Sequence, residues 1–411
     1  MSSLVIQPPQ PVDATKQRPG SVRAIRQGAV DRFYRPELDV LRFFAFLSVF
    51  LYHGSPAFVL TRHAGPTARL ALYETQARDT GAFGVCLFFL LSAYLITELL
   101  LREKKCTGTI HIRSFYLRRI LRIWPLYFVF LLLGVLLSVF VRAYRLEARW
   151  ILSFLLLGGN WYVANGALSN NPIGPLWSIS VEEQFYLCWP WIACLGGKRW
   201  IRTLSLVLLP TSFVFIYRLS HVGPGAVRFN SFAQFQFFAL GALLALALRG
   251  RVPNLRPLHR IVLFLTGLIS WFLANFVFHV DYAGTIPSPG SMLTGYELVA
   301  VGCLLFIVSF LGASPRWFPK QLVYLGKISY GLYVFHMLSL NIVGALLWPS
   351  ESRRASLQTT GGMVFLTALA FLILVVALSG TITLSAFSYR FLERPFLSMK
   401  ERFTFIRSRS I

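Results

Sequence analysis

Ten separate stretches of this chain are apolar over about the length that crosses a lipid bilayer, roughly 20 residues. They fall near 38–60, 83–101, 117–141, 178–195, 201–219, 232–248, 260–280, 293–312, 322–346 and 362–389. No single soluble core accommodates that many. The chain is 55% hydrophobic and 14% charged, with a mean hydropathy of +0.60, beyond the range of soluble domains. In lipid every backbone polar group needs an internal partner, so only helices and closed barrels span. A barrel would show short alternating segments. The expectation is an all-α, polytopic transmembrane helical bundle of about ten spans.

Loop charge sets the topology. The net charge is +24, from 40 Lys and Arg against 16 Asp and Glu. The basic residues recur in short loops between spans, which is a topology signal and not a nucleic-acid footprint. With both termini cytoplasmic and 142–177 outside, the cytoplasmic segments carry 29 Lys and Arg and the outer segments ten. Letting the Leu-rich stretch 150–163 span would invert every later loop. It is therefore expected to be re-entrant or interfacial. The stretch 1–35 has no apolar signal-peptide region and reads as a disordered basic cytoplasmic tail. A membrane domain over 36–397 and a basic cytoplasmic tail over 398–411 complete the chain. Cys86, Cys106, Cys188, Cys194 and Cys303 form no C-x-x-C pair, so neither a disulfide framework nor a metal site is expected.

Several ionisable residues lie within the apolar stretches, where they are costly. Arg42 and His53 are eleven residues apart on the first one. In a helix that places them about 20° out of phase and roughly 16 Å apart along one face. Arg42 could simply snorkel to the headgroups and His53 bond a neighbouring helix. Arg119 and Arg122, three apart beside Arg118, open the third stretch. They read either as positive-inside anchors or as a forked anion site suited to phosphate. Ser178-Ile179-Ser180-Val181-Glu182-Glu183 brings two carboxylates into a span, where Ser180 and Glu183 also fit a helix-start capping box. Adjacent residues point about 100° apart, so one carboxylate is expected to face a given cavity. His336 follows Ser329-Tyr330-Gly331-Leu332-Tyr333 within a late span. Gly81, Gly84, Ser92 and Ala93 read as small residues for close helix packing. The run Tyr389-Arg390-Phe391-Leu392-Glu393-Arg394-Pro395 reads as a charged exit with a proline stop.

Taken together, these residues resemble the acyltransferase-3 family of integral-membrane acyltransferases. The resemblance rests on Arg-x10-His at Arg42 and His53, Arg-x-x-Arg at Arg119 and Arg122, and Trp177 to Tyr186. Ser329 to Tyr333 with His336, and Tyr389-Arg390-Phe391 with Glu393 and Pro395, add to it. It runs in order from about residue 34 to 397, with Ala93 where the family usually has Gly. Some members carry a fused esterase-like domain. No such domain is expected after residue 397, so the reaction is expected to be completed within the membrane domain or with partners.

The resemblance implies an O-acyltransferase of the bacterial inner membrane. Cytoplasmic acetyl-CoA or another acyl-CoA would be the donor. A glycan, glycolipid or other hydroxyl compound would be the acceptor. Arg42, Arg118, Arg119 and Arg122 would hold the donor phosphates. His53 would act as general base or carry the acyl group, with Glu182 or Glu183 orienting it or handling protons. Asp39, Tyr186, Tyr330 and His336 would support the substrates. A proton-coupled transporter or flippase is the alternative, since intramembrane His and Glu suit that chemistry too. No paired broken helices at matching positions favour it.

Overall fold

The computed structural model describes residues 33–54, 75–166, 169–281, 286–350, 357 and 360–406, and no strand occurs among them. Helix α1 spans Pro36–Gly54, α2 Gly84–Thr107 and α3 Ile112–Phe140. Two short helices follow, α4 over Ala148–Leu155 and α5 over Gly159–Ala164. The long α6 runs Trp177–Ser220, and the short α7 Pro224–Phe229. Helices α8 (Ser231–Leu248), α9 (Pro257–Phe276) and α10 (Pro289–Phe310) come next. They are followed by α11 (Lys320–Lys327), α12 (Ser329–Leu347) and α13 (Thr360–Ser388).

Eight helices among the described residues are long and apolar enough to cross a membrane. One of these is α6, which bends at Gly197 (φ 56°, ψ −145°), a conformation essentially restricted to glycine. Its two arms are the expected stretches 178–195 and 201–219. Helix α1 is not among the eight, because Glu37, Asp39 and Arg42 crowd its 19 residues. Two arms of α6, the seven other long helices and α1 account for the ten apolar stretches. The 150–163 stretch is no span: α4 has eight residues, about 12 Å of helix. On α3, Val129, Leu132, Leu136 and Val139 are exposed at helical spacing, an apolar stripe that suits lipid.

Close packing seats α1 inside the bundle, against α2, α11 and α12. A Cβ on Gly84 would lie 2.4 Å from the Ala45 carbonyl oxygen, and one on Gly326 only 1.8 Å from that of Asp39. The packing reading of the small residues in α2 therefore holds at Gly84. It holds at Ala93 as well, which is fully buried where α2 meets Gly241 of α8. Gly326→Ala should force α11 off α1 at the turn that carries Asp39. A loss of about 1–3 kcal/mol is expected from such overpacking. Thermal unfolding in detergent checks this, and an unchanged midpoint would mean that α11 moves freely.

Two local expectations change. Ser180 is not a helix cap. A 3-10 turn at Gly174–Leu176, with Pro175 in its first positions, starts the helix earlier and leaves Ser180 inside it, fully buried. Pro395 is not a stop either. The chain continues from α13 through a π turn at Tyr389–Glu393 into α14 (Arg394–Lys400), where Pro395 occupies a first-turn position that needs no N–H. A 3-10 turn at Glu401–Phe403 then packs back on α3.

Candidate functional site

Two separate cavities lie within the bundle. The first, of about 190 Å³, is basic and lies between α1, α2, α3, α6 and α12. Arg42 enters it from α1 and donates to Asp39 Oδ1 at 3.1 Å, one helical turn away. Asp39 is 2% exposed, so it neutralises a guanidinium that the bundle interior would otherwise reject. Arg119 and Arg122 enter from one face of α3. The Arg119 guanidinium lies 5.5 Å from the Tyr186 ring centroid and 5.6 Å from that of Phe115. Its Nε is buried and has no hydrogen-bond partner among the described residues. A buried, unpaired guanidinium N–H is costly and suits an arriving anion. Tyr186 and Ser92 share a short hydrogen bond on the cavity wall. Tyr330 donates to the Ile123 carbonyl at 2.8 Å.

Arg118 lines the same cavity but is turned away from that face. Its Nη2 donates to Glu103 Oε2 at 2.7 Å and its Nη1 to the Phe403 carbonyl at 2.8 Å. With both ends engaged, it fastens α3 to α2 and to the C-terminal segment. The two adjacent carboxylates also part company. Glu182 faces the basic cavity, whereas Glu183 accepts from Trp124 Nε1 at 3.3 Å and lines neither cavity.

The second cavity, of about 600 Å³, contains His53. His336 is fully buried behind it, with its Nε2 3.2 Å from His53 Nδ1. His53 Nδ1 also lies 3.0 Å from the Val49 carbonyl, and His336 Nδ1 bonds the Tyr333 carbonyl. Carbonyls only accept, so each Nδ1 carries the proton in the neutral pair; this tautomer is assigned from the partners. His336 Nε2 then accepts from the shared His53 N–H. The remaining lone pair of His53 is on Nε2, which no residue engages among those described. Neither Glu182 nor Glu183 touches His53. The imidazole is oriented by its own helix backbone and by His336.

Around His53 the cavity holds residues that sequence reasoning did not single out. Arg228 Nη1 donates to the Tyr52 hydroxyl at 2.7 Å and to Asp281 Oδ2 at 2.8 Å. Burial pushes the Asp281 carboxyl up, against the pull of the Arg228 guanidinium. Tyr52 packs edge-on against the His53 ring at 4.6 Å. Arg228 counted only as a loop charge in the sequence. Tyr52 beside His53 was the only local hint, because Asp281 reaches the site from another loop.

The cavities are divided by a small polar layer. Tyr333 and Ser178 line the basic cavity, and Pro175 lines the histidine cavity. Ser178 Oγ donates to the Tyr333 hydroxyl at 2.8 Å, and that hydroxyl donates to the Pro175 carbonyl at 3.1 Å. Tyr333 thus joins the two sides, with its ring on the basic cavity and its carbonyl bound by His336.

Comparisons with known proteins bear on this geometry. A family model described as an acyltransferase domain matches residues 35–384. A Staphylococcus aureus protein provisionally named as an O-acetyltransferase is 26% identical over 88% of this chain and 57% of its own. The peptidoglycan O-acetyltransferase OatA of Listeria monocytogenes is 25% identical over 89% of this chain and 56% of its own. The Bacillus subtilis protein YrhL, provisionally named as a peptidoglycan O-acetyltransferase, is 28% identical over 88% and 55%. The chain therefore spans little more than half the length of these relatives. No solved structure matches it.

Proposed function

The chain belongs to the acyltransferase-3 family, and from that premise we propose that it moves an acetyl group from acetyl-CoA to a hydroxyl of an envelope glycan or glycolipid. The observation that carries this reading is the division of labour along α1. Arg42 enters the basic cavity, His53 enters the other, and Tyr333, His336 and His53 form a bonded chain between them. Relatives named for peptidoglycan O-acetylation support a glycan acceptor.

In this proposal the donor phosphates rest on Arg119 and Arg122, with Arg42 nearby, and the thioester passes the layer of Tyr333 and Ser178. The acceptor hydroxyl lies in the histidine cavity against His53 Nε2. His53 takes the hydroxyl proton, and the oxygen attacks the thioester carbonyl. The carbon–sulfur bond breaks, and the thiolate leaves and recovers the proton from the imidazolium. His336 keeps the proton of His53 on Nδ1, so that Nε2 stays basic. Glu182 is proposed to balance the arginines, not to orient the imidazole.

Thioester consumption is the direct test. The protein in membrane vesicles should release coenzyme A thiol from acetyl-CoA when acceptor glycan is present. Envelope glycans from cells with and without the protein should differ by an acetyl-sized mass. If acceptor causes no thiol release, the reading fails.

The proposed setting is the bacterial inner membrane with both termini and the basic cavity on the cytoplasmic side. Cys106 is exposed at the end of α2, in the 102–122 loop. A cysteine replacing the exposed Val222 would lie in the 218–231 loop. An impermeant maleimide should label Val222→Cys in intact cells and reach Cys106 only after permeabilisation. The opposite pattern would invert the topology and the donor side with it.

A further inference from the structure

We infer that residues 394–406 are a strap over the basic cavity, and that Lys400 on it is a phosphate-binding residue of the donor site. This rests on the reading of the basic cavity as the site of a nucleotide thioester. The segment lies beyond the region that the family model matches. By composition it reads as a solvated basic tail.

Its packing says otherwise. Lys400, Thr404, Phe405 and Ile406 form part of the cavity wall. Ile406 is 5% exposed, and the Phe405 ring stacks on His111 with centroids 4.2 Å apart. The Phe403 carbonyl accepts from Arg118, which Glu103 holds from the other side. This arrangement gives Arg118 a purpose as the fastener of the strap.

Charge then identifies the ligand. Six cationic side chains line the cavity against three carboxylates. Of those carboxylates, Asp39 is paired with Arg42 and Glu103 with Arg118, and Glu182 alone lies within electrostatic reach of Arg119 and Arg122, which leaves the basic groups in excess. Arg119, Arg122 and Lys400 form no ion pair among the described residues, and Lys400 lies within electrostatic reach of both arginines. Bringing like charges into one semi-enclosed space is unfavourable unless an anion joins them. The buried Arg119 Nε without a partner points into the same need. A ligand with several phosphates satisfies all three cations. Coenzyme A, with a diphosphate and a sugar phosphate, has that chemistry; a cluster of anionic lipid headgroups is the competing source.

The test titrates coenzyme A into the full-length protein in nanodiscs of uncharged lipid. Lys400→Gln should weaken binding about tenfold, the loss of one charge-assisted contact. Lys400→Arg should restore most of it. Phe405→Ala should speed coenzyme A release by loosening the strap. Unchanged affinity in Lys400→Gln while Arg119→Lys still weakens binding overturns the strap and leaves the donor site standing. If neither variant loses affinity, the donor-site reading falls as well. An effect of Lys400→Gln on anionic-lipid binding alone would assign the cluster to headgroups and overturn the proposal. Should Lys400→Gln fail to fold, an unchanged release rate in Phe405→Ala decides against it.

Discussion

His53→Gln is expected to abolish acyl transfer while leaving a folded, membrane-inserted protein that binds coenzyme A normally. Glutamine keeps the polarity and approximate size of the side chain, and its amide N–H can still donate to the Val49 carbonyl. It cannot accept a proton at neutral pH or usefully carry an acyl group. General-base catalysis typically contributes ~10²–10⁴-fold, so a loss of that order is expected in turnover. Coenzyme A affinity should not move, because His53 lines the histidine cavity and not the basic one. Near-normal turnover would make His53 structural. His336→Gln separates the two imidazoles further. In the proposed scheme His336 acts by accepting the His53 N–H at 3.2 Å, so its loss should lower turnover less than that of His53. An acyl group trapped on His53 in the absence of acceptor would replace the base mechanism with a covalent relay.

Arg119→Lys and Arg122→Lys are expected to raise the acyl-CoA concentration needed for half-maximal rate, with little change in turnover at saturation. Lysine preserves the charge but loses the planar fork that grips two phosphate oxygens. A charge-assisted contact contributes about 1.5–3 kcal/mol, or roughly 10–150-fold in affinity. Arg118→Lys should behave differently. Arg118 spans Glu103 and the Phe403 carbonyl, two acceptors on separate elements that one ammonium bridges poorly. Its loss should show first as lower thermal stability and a looser C-terminal segment. Unaltered donor dependence in both Arg119→Lys and Arg122→Lys, at normal protein levels, would reject the phosphate assignment.

Much of the site could be read from spacing alone, because helical periodicity survives any packing. Arg119 and Arg122 share a face of α3 in the bundle as they do on a helical wheel. Glu182 and Glu183, adjacent and about 100° apart, go to different surroundings for the same reason. The apolar stretches likewise required helices, since lipid offers no partner to an open backbone. The 29-to-ten asymmetry of loop charge kept 150–163 out of the count of spans, and the structure forms two short helices there.

Other features depend on which helices meet, and no local pattern encodes that. Arg42 and His53 share a face of α1, yet the layer at Tyr333 and Ser178 puts them in different cavities. His336 is 283 positions from His53 in the chain and becomes its hydrogen-bond partner only when α12 packs on α1. Arg228 and Asp281 are each ordinary charges between spans until packing pairs them beside Tyr52 in the histidine cavity. Lys400 and Phe405 look like solvated tail because composition carries no information on a segment that folds back 285 positions to meet Arg118. Sequence determined the long apolar helices and the faces that carry charge, since each follows from residues within a few turns of one another. Only tertiary packing decided which charges are paired, which cavity each enters and what lies over it, because those are contacts between residues far apart in the chain.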